Sequence, residues 1–438
     1  VSLATGATQS GFGRTGTVDW QTGAIKTGDF TAVSGEGYFC DTSSTAFTVT
    51  LPSSPSAGDI VALKDYKLTW NVNNLTINRN GEPINGGNNT NPALSTQGGS
   101  VLLVYVDGTQ GWIPTQDDSS TIRALTPTFT AATGGTETTC GDFKVHTFTS
   151  PGTFTVTSAG NAAGSGDTIS YVVVGGGGGG SAGPRGSGGG AGGFREGKNA
   201  ICTHTASPLA TTGFTVTAGP TAYPITIGAG GGGGPGGAEA PNNGSSSSGS
   251  NTSFSTITSA GGGAGAGVGS TGAAGGSGGG RQSCCAAFAG NTPPVSPPQG
   301  QPGGNTGGHP GGSPVPNGGA GGGGATASTG TNETDGGAGG PTGINFSTTV
   351  FAGGGGGGGA GATIPTSPRS PLNGGVGGAG GGGSGAGGSP APTPSPNAGA
   401  GTANTGGGGG GAGRQTSVKN NNGGAGGSGI VILRYKFQ

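Results

Sequence analysis

Apolar and polar residues alternate in short stretches along the first quarter of the chain: AFTVTLP (46–52), DIVALKDY (59–66), NLTINRNG (74–81) and SVLLVYVDGTQGWI (100–113). A two-residue period belongs to strands with one face on a core, and nothing here sustains the 3.6-residue period of a helix. Asn80-Gly81, Gly86-Gly87 and Asp107-Gly108 accept the positive φ of tight turns. Residues 1–122 are therefore expected to form a compact β-module of strands joined by turns. The small polar residues of RALTPTFTAATGGTETT (123–139) read as an extended connector.

Strand patterning resumes at Cys140. DFKVHTFTS and GTFTVTS flank Ser150-Pro151-Gly152 and read as a hairpin. TISYVVV (168–174) runs into six glycines at 175–180, and the same grammar returns as AYPITIG (222–228), FSTITSAGGG (254–263) and FSTTVFAGGG (346–355), the last two an internal repeat. The chain closes with GIVILRYKFQ, where Val431, Leu433, Tyr435 and Phe437 share one face while Arg434, Lys436 and Gln438 share the other, as in a half-buried strand. Its backbone groups need partners, and the strands at 143–149 and 168–174 are expected to supply them. Residues 140–438 then close into one domain.

Composition changes the picture of that domain. Of 114 glycines, 91 lie in the last 264 positions, so side chains there cannot build an ordinary core. Glycine runs punctuated by β-branched and aromatic strands differ from flexible Gly/Ser linkers. Such runs suit polyproline-II geometry, with three residues per turn and no internal hydrogen bonds, and lacking a Cβ they can bond sideways to one another. NTPPVSPPQ (291–299) and TIPTSPRSPLN (363–373) break the strict triplet that collagen needs. The expected fold class is all-β: an N-terminal β-domain (1–122), a connector (123–139) and a glycine-rich domain (140–438) of strands framing a bundle of polyproline-II-like glycine helices.

Charge and chemistry narrow the function. Sixteen basic and 17 acidic residues give a net charge of -1, without the basic cluster that would track a phosphate backbone, so nucleic acid is not expected as a partner. No stretch of 18 apolar residues suggests membrane insertion, and the first thirty residues lack a signal-peptide profile. Cys40, Cys140, Cys202, Cys284 and Cys285 are odd in number and irregularly spaced, and His146, His204 and His309 are isolated. Neither metal nor cofactor is expected. Adjacent Cys284 and Cys285 read as small packing residues near Phe288.

Catalytic patterns are weak. Gly275 to Gly279 brackets Ser277 as in a nucleophile elbow, but no strand-to-helix turn is available. GGFREGKN (192–199) lacks the hydroxyl residue and the following helix of a phosphate loop. Asp117 with Asp118, and Glu333 with Asp335, lie in polar stretches and read as loop residues rather than a glycosidase pair. Trp20, Trp70 and Trp112 are expected in the core rather than as sugar-stacking platforms. No enzyme is expected. The remaining side-chain diversity sits in 281–300, 363–373, 389–397 and 414–422, where Arg281, Phe288, Arg369, Arg414 and Lys419 are candidate receptor contacts.

GDFKVHTFTSPGTFTVTSAG (141–160), SYVVVGGGGGG (170–180), AGGFREG (191–197) and GGSGIVILRYKFQ (426–438) resemble the glycine-rich domains of tailed-phage virion proteins, in particular those of marine phages. GFGRTGTVDWQTGAIKTGDFTAVSGEGYFCDTSSTAFTVTLPSSPSAGDIVALKDY (11–66) is similar to a β-module of predicted marine-phage tail fibres. Alternating glycine runs and loops also resemble the polyglycine adhesins of some T-even-like fibre tips. The resemblance implies a virion appendage or tail-fibre subunit, exposed outside the cell, trimeric by analogy, bound to other virion proteins and contacting a host surface glycan or outer-membrane protein through its distal loops. A self-assembling filament or capsid decoration is the alternative.

Overall fold

The computed structural model describes residues 18–86, 90–117, 128–161, 164–183, 185–217, 219–237, 244–267, 271–281, 286–306, 318–329, 334–359, 373–388, 397–413 and 421–438. They are all-β, with strands and extended segments and no helix among them. The chain divides into two compact units, 1–128 with 161–164, and 129–160 with 165–438.

The first unit holds β1 (Asp19–Trp20), β2 (Phe30–Thr31), β3 (Glu36–Cys40), β4 (Phe47–Thr50), β5 (Ile60–Asp65), β6 (Leu75–Asn78), β7 (Ala93–Leu94), β8 (Ser100–Tyr105) and β9 (Trp112–Asp117). One sheet has the order β1-β3-β5-β8-β9 and the other β2-β4-β6-β7. β1, β3 and β5 run parallel, as do β2, β4 and β6. The chain thus coils through three rungs, each giving one strand to each sheet, before β7, β8 and β9 close the unit with antiparallel pairing. The inward residues of both sheets, among them Val49, Leu63, Ile77 and Leu103, form one core. Trp70 and Trp112 are buried in it as expected, but Trp20 is 38% exposed. Its strand is the edge of the first sheet, where the indole lies against Gly37 instead of entering the core.

The second unit contains β10 (Ala131–Thr133), β11 (Thr136–Cys140), β12 (Phe143–Phe148), β13 (Gly152–Ser158), β14 (Thr168–Val174), β15 (Phe194–Lys198), β16 (Ala210–Thr212), β17 (Phe214–Thr215), β18 (Thr221–Thr226), β19 (Thr252–Phe254), β20 (Ile257–Ser259), β21 (Gly340–Thr342), β22 (Thr349–Phe351) and β23 (Ile430–Lys436). A sheet of order β10-β13-β18-β19-β20 faces one of order β11-β12-β23-β14-β15-β16, with β17 paired beside β14. Phe154 and Val156 of the first sheet pack against Tyr171, Val173, Val431, Leu433 and Tyr435 of the second. The opposite face of the second sheet carries Val145, Val172, Ile430 and Ile432 into another core with Phe194, Ile344 and Phe351.

β23 lies between β12 and β14, the two partners expected for it, with Leu433 opposite His146 and Tyr171. It is buried on both faces rather than half-buried, because the segment around Ile344 and Phe351 covers the second face, and even Arg434 is only 5% exposed. The expected hairpin of 143–149 with 152–158 does not form. β12 pairs with β11 and β23, while β13 pairs with β10 and β18, so the turn at Ser150–Gly152 carries the chain from one sheet to the other. Of the expected connector, 123–127 lies outside the described residues, and β10 and most of β11 are strands of the two sheets.

Candidate functional site

Several strands continue into or out of the glycine runs, among them β14 into 175–180, β20 into 260–266 and β22 into 352–359, while 186–193 leads into β15 and 421–429 into β23. The run 175–180 shows how they associate. Gly175 and Gly178 donate to the carbonyls of Gly193 and Gly190, Gly176 and Gly179 to Ser250 and Ser247, and Gly177 and Gly180 to Gly427 and Gly424, at 2.8–3.0 Å. Donor numbers rise by three as acceptor numbers fall by three, so these three neighbours run antiparallel. On the carbonyl side, Gly176 and Gly179 accept from Gly262 and Gly265, Gly177 and Gly180 from Gly231 and Gly234, and Gly178 from Gly409. Six surrounding runs therefore satisfy one segment. A three-residue period with every bond leaving the segment is what polyproline-II geometry offers.

The same period explains the glycines. A Cβ on Gly175 or Gly178 would meet the carbonyls of Ala260 or Gly263, on Gly176 or Gly179 those of Ala229 or Gly232, and on Gly177 or Gly180 those of Gly407 or Gly410, all at 2.0–2.2 Å. The obstacle is backbone on every side, so no rotamer change relieves it. Where glycine stands, Cα–H faces a carbonyl instead, a weak attraction repeated throughout the array.

The ends of the runs differ. At one end lie the sheets. At the other lies the turn after Gly180, and around it gather the described ends of the remaining runs: Gly186 bonds Gly358 and Ala412, Gly358 bonds Gly319, Gly359 bonds Ala386, Gly188 bonds Gly280, and Gly180 bonds Gly234 and Gly424. Bridges Arg185–Gly413 and Ala266–Arg281–Asn305 belong to the same end. Asn422 ties the described ends of three runs together, accepting from Gly236 (2.6 Å), donating through its backbone amide to Asn397 (3.3 Å) and accepting at its carbonyl from Ala398. The end away from the sheets is thus where the described ends of the glycine runs gather.

Of the five candidate contacts, Arg281 and Phe288 are described and touch. The Arg281 guanidinium stacks 4.9 Å from the Phe288 ring centroid and donates to the Ala286 carbonyl. Phe288 is half-buried over Gly272, whose Cβ would come within 2.4 Å of its ring. From there 289–300 runs back along the array toward the sheets, where the Phe194 amide bonds the Gln299 carbonyl. Asn291 binds the backbone of Val295 and Gln299, and Gln299 reaches the Ala260 amide and the Pro293 carbonyl. Arg369, Arg414 and Lys419 lie outside the described residues.

Sequence reasoning missed a buried polar layer on the second sheet. Glu196 accepts from Thr342 Oγ1 at 2.6 Å and from the Ser207 amide at 2.7 Å, and sits 3.6 Å from His204 Nε2. Burial pushes its carboxyl upward, but the nearby His204 and the bonds from Thr342 and Ser207 outweigh that and hold it below its ordinary value. Arg434 lies between the rings of Phe143 and Phe346 and donates to the carbonyls of Gly343 and Ile344. Burial also raises the Cys202 thiol and lowers His146. The Gly134 carbonyl can only accept, so His146 Nδ1 donates to it at 2.6 Å and Nε2 faces the Tyr435 hydroxyl at 2.9 Å. Alternating patterns mark none of these groups, since their partners are remote in sequence.

Other patterned residues have structural places. Ser277 is a buried position of a glycine run, its amide bonded to Ala191 and its carbonyl to Gly263. Asp335 accepts from the Val376 amide, while Glu333, His309, Cys284, Cys285 and Asp118, with the side chain of Asp117, lie outside the described residues. Among the described residues no three His, Cys, Asp or Glu side chains converge as metal ligands do. The arrangement's chemistry is that of backbone hydrogen bonding between glycine runs. A family model described as a glycine-rich domain matches residues 147–436, well over half of the chain. No curated protein matches it at a significant level.

Proposed function

Since the chain belongs to the glycine-rich domain family, we propose that it is a structural subunit of a phage tail fibre or comparable virion appendage, without catalytic activity, whose glycine array carries receptor-binding loops. The observation supporting this reading most directly is the polarity of the array. Sheets occupy one end, the described ends of the glycine runs gather at the other, and the central run 175–180 between them is bonded to six neighbouring runs. Loops on a rigid mount lose little conformational entropy on binding and can vary in sequence without disturbing what holds them.

Arg281, Arg369, Arg414 and Lys419 supply cations for anionic sugars or acidic patches on a host glycan or outer-membrane protein. Phe288 acts by bracing Arg281 rather than as a separate platform. A homo-oligomer, a trimer by analogy, built with other virion proteins completes the appendage. Immunogold microscopy of intact particles with an antibody raised against 363–373 tests this. Label at appendage tips is expected; label over the capsid or along a repeating filament contradicts the reading.

A further inference from the structure

His146 stands at the corner where the chain crosses between the two sheets of the second unit. Between β10 and β11 the backbone turns through Gly134 and Gly135, both at positive φ, and a Cβ on Gly134 would come within 2.1 Å of the Thr153 carbonyl oxygen of β13. The imidazole bonded to this turn is fully buried, edge-on to Phe154 and stacked on Tyr435 of β23. Its Nδ1 lies 2.6 Å from the Gly134 carbonyl, which only accepts, so Nδ1 keeps its proton whether the ring is neutral or charged. Ionisation is therefore left to Nε2, and Nε2 faces the Tyr435 hydroxyl at 2.9 Å. That hydroxyl has a second acceptor, the Ala132 carbonyl of β10, at 3.5 Å. Burial raises the pKa of the Tyr435 hydroxyl, so it exchanges partners without ionising.

We propose that His146, Tyr435 and the Ala132 carbonyl form a two-state hydrogen-bond relay through which this corner senses acid. With a neutral imidazole, the Tyr435 O–H donates to Nε2, the nearer acceptor. When the ring takes a proton from solvent, that proton sits on Nε2 and is donated to the Tyr435 oxygen, while the hydroxyl keeps its own proton and turns it to Ala132. Neither state strands an imidazole or hydroxyl proton without an acceptor, which is what a buried group needs if it is to change charge in place. Glu137 of β11 also faces the ring: one carboxylate oxygen lies 3.8 Å from Nδ1 and the other holds Lys144 of β12 at 3.0 Å. The residues of β10, β13 and the Gly134–Gly135 turn include no titratable side chain, and of the titratable residues of β23 it is Tyr435 that lies on this face. Acid therefore draws β10 toward β23 through Ala132, so the corner tightens locally even where protonation weakens the fold as a whole. The relay rests on these contacts and is independent of the appendage reading.

NMR of the full chain, carrying nitrogen labels in its histidine rings and carbon labels at tyrosine Cζ, tests the relay across an acid titration from pH 8 to 4. Neutral His146 should carry its proton on Nδ1, and the Tyr435 Cζ resonance should shift with the same midpoint as Nε2 takes up its proton. Through-space contacts to the His146 ring assign that resonance, so the wild type suffices. Tyr435→Phe adds a sign. It should lower the His146 midpoint, because the charge-assisted bond lost from the protonated ring is stronger than the neutral bond lost from the uncharged one. Removing a hydroxyl that only donated would raise the midpoint instead. A proton on Nε2 in the neutral ring overturns the proposal, as does a Tyr435 resonance unmoved by the His146 titration. So do a raised midpoint in a folded Tyr435→Phe and acid unfolding with His146 still neutral.

Discussion

A methyl group at Gly178 would lie 2.2 Å from the Gly263 carbonyl oxygen, and neither backbone can retreat without breaking bonds to its other neighbours. Gly178→Ala should therefore cost at least about 1–3 kcal/mol, the usual penalty of overpacking. Gly237→Ala, with nothing within 4 Å of the added carbon, should be close to neutral. Paired thermal melts check the contrast. Glu196 gives a pH dependence. Its carboxyl titrates lower in the folded chain than its ordinary value of 4.5, so the stability it contributes is complete above that value and is lost as pH falls through it toward the folded value. His146, held neutral by burial below its ordinary 6.5, begins to destabilise the fold somewhat earlier on acidification, as the unfolded chain takes up its proton. Urea titrations from pH 7 to 3 should show stability falling with acid in both ranges, and Glu196→Gln should flatten the lower one.

At the scale of elements, β23 decides whether the second unit closes. Leu433 is fully buried between His146 and Tyr171 on neighbouring strands, and Leu433→Ala should destabilise by about 2–5 kcal/mol, measured by denaturant unfolding followed through the glycine-rich unit. The partners of β23 were legible because a long apolar terminal strand needs two backbone neighbours and the sequence holds few of comparable length. The crossing at Ser150–Gly152 was not legible, since a proline-glycine turn serves a hairpin and a change of sheet equally well. The parallel coil of β1 to β6 escaped for a related reason. A two-residue period tells which face of a strand is buried but not which strand lies beside it. The buried layer around Glu196 depends on Thr342, 146 residues away, and no local pattern marks such a pair.

For the whole molecule, the all-β class and the glycine-rich domain follow from composition and punctuation, while the pairing of one glycine run with another does not. Glycine carries no side chain to distinguish neighbours, so register comes from the strands that feed the runs and from the Asn, Gln and Ser residues that end them. The candidate receptor contacts follow from the few charged and aromatic residues between the glycine runs; the packing of Phe288 on Gly272 and its stacking with Arg281 needed the three-dimensional register.

Amide hydrogen exchange distinguishes glycine runs that are a hydrogen-bonded solid, as their bonding pattern requires, from a flexible filler. Peptides covering 175–193, 352–359 and 406–413 should exchange as slowly as those covering β14 and β23, because each of these runs donates its amides to neighbouring runs. Exchange of those glycines at the rate of an unstructured chain, with β14 and β23 still protected, would contradict the account.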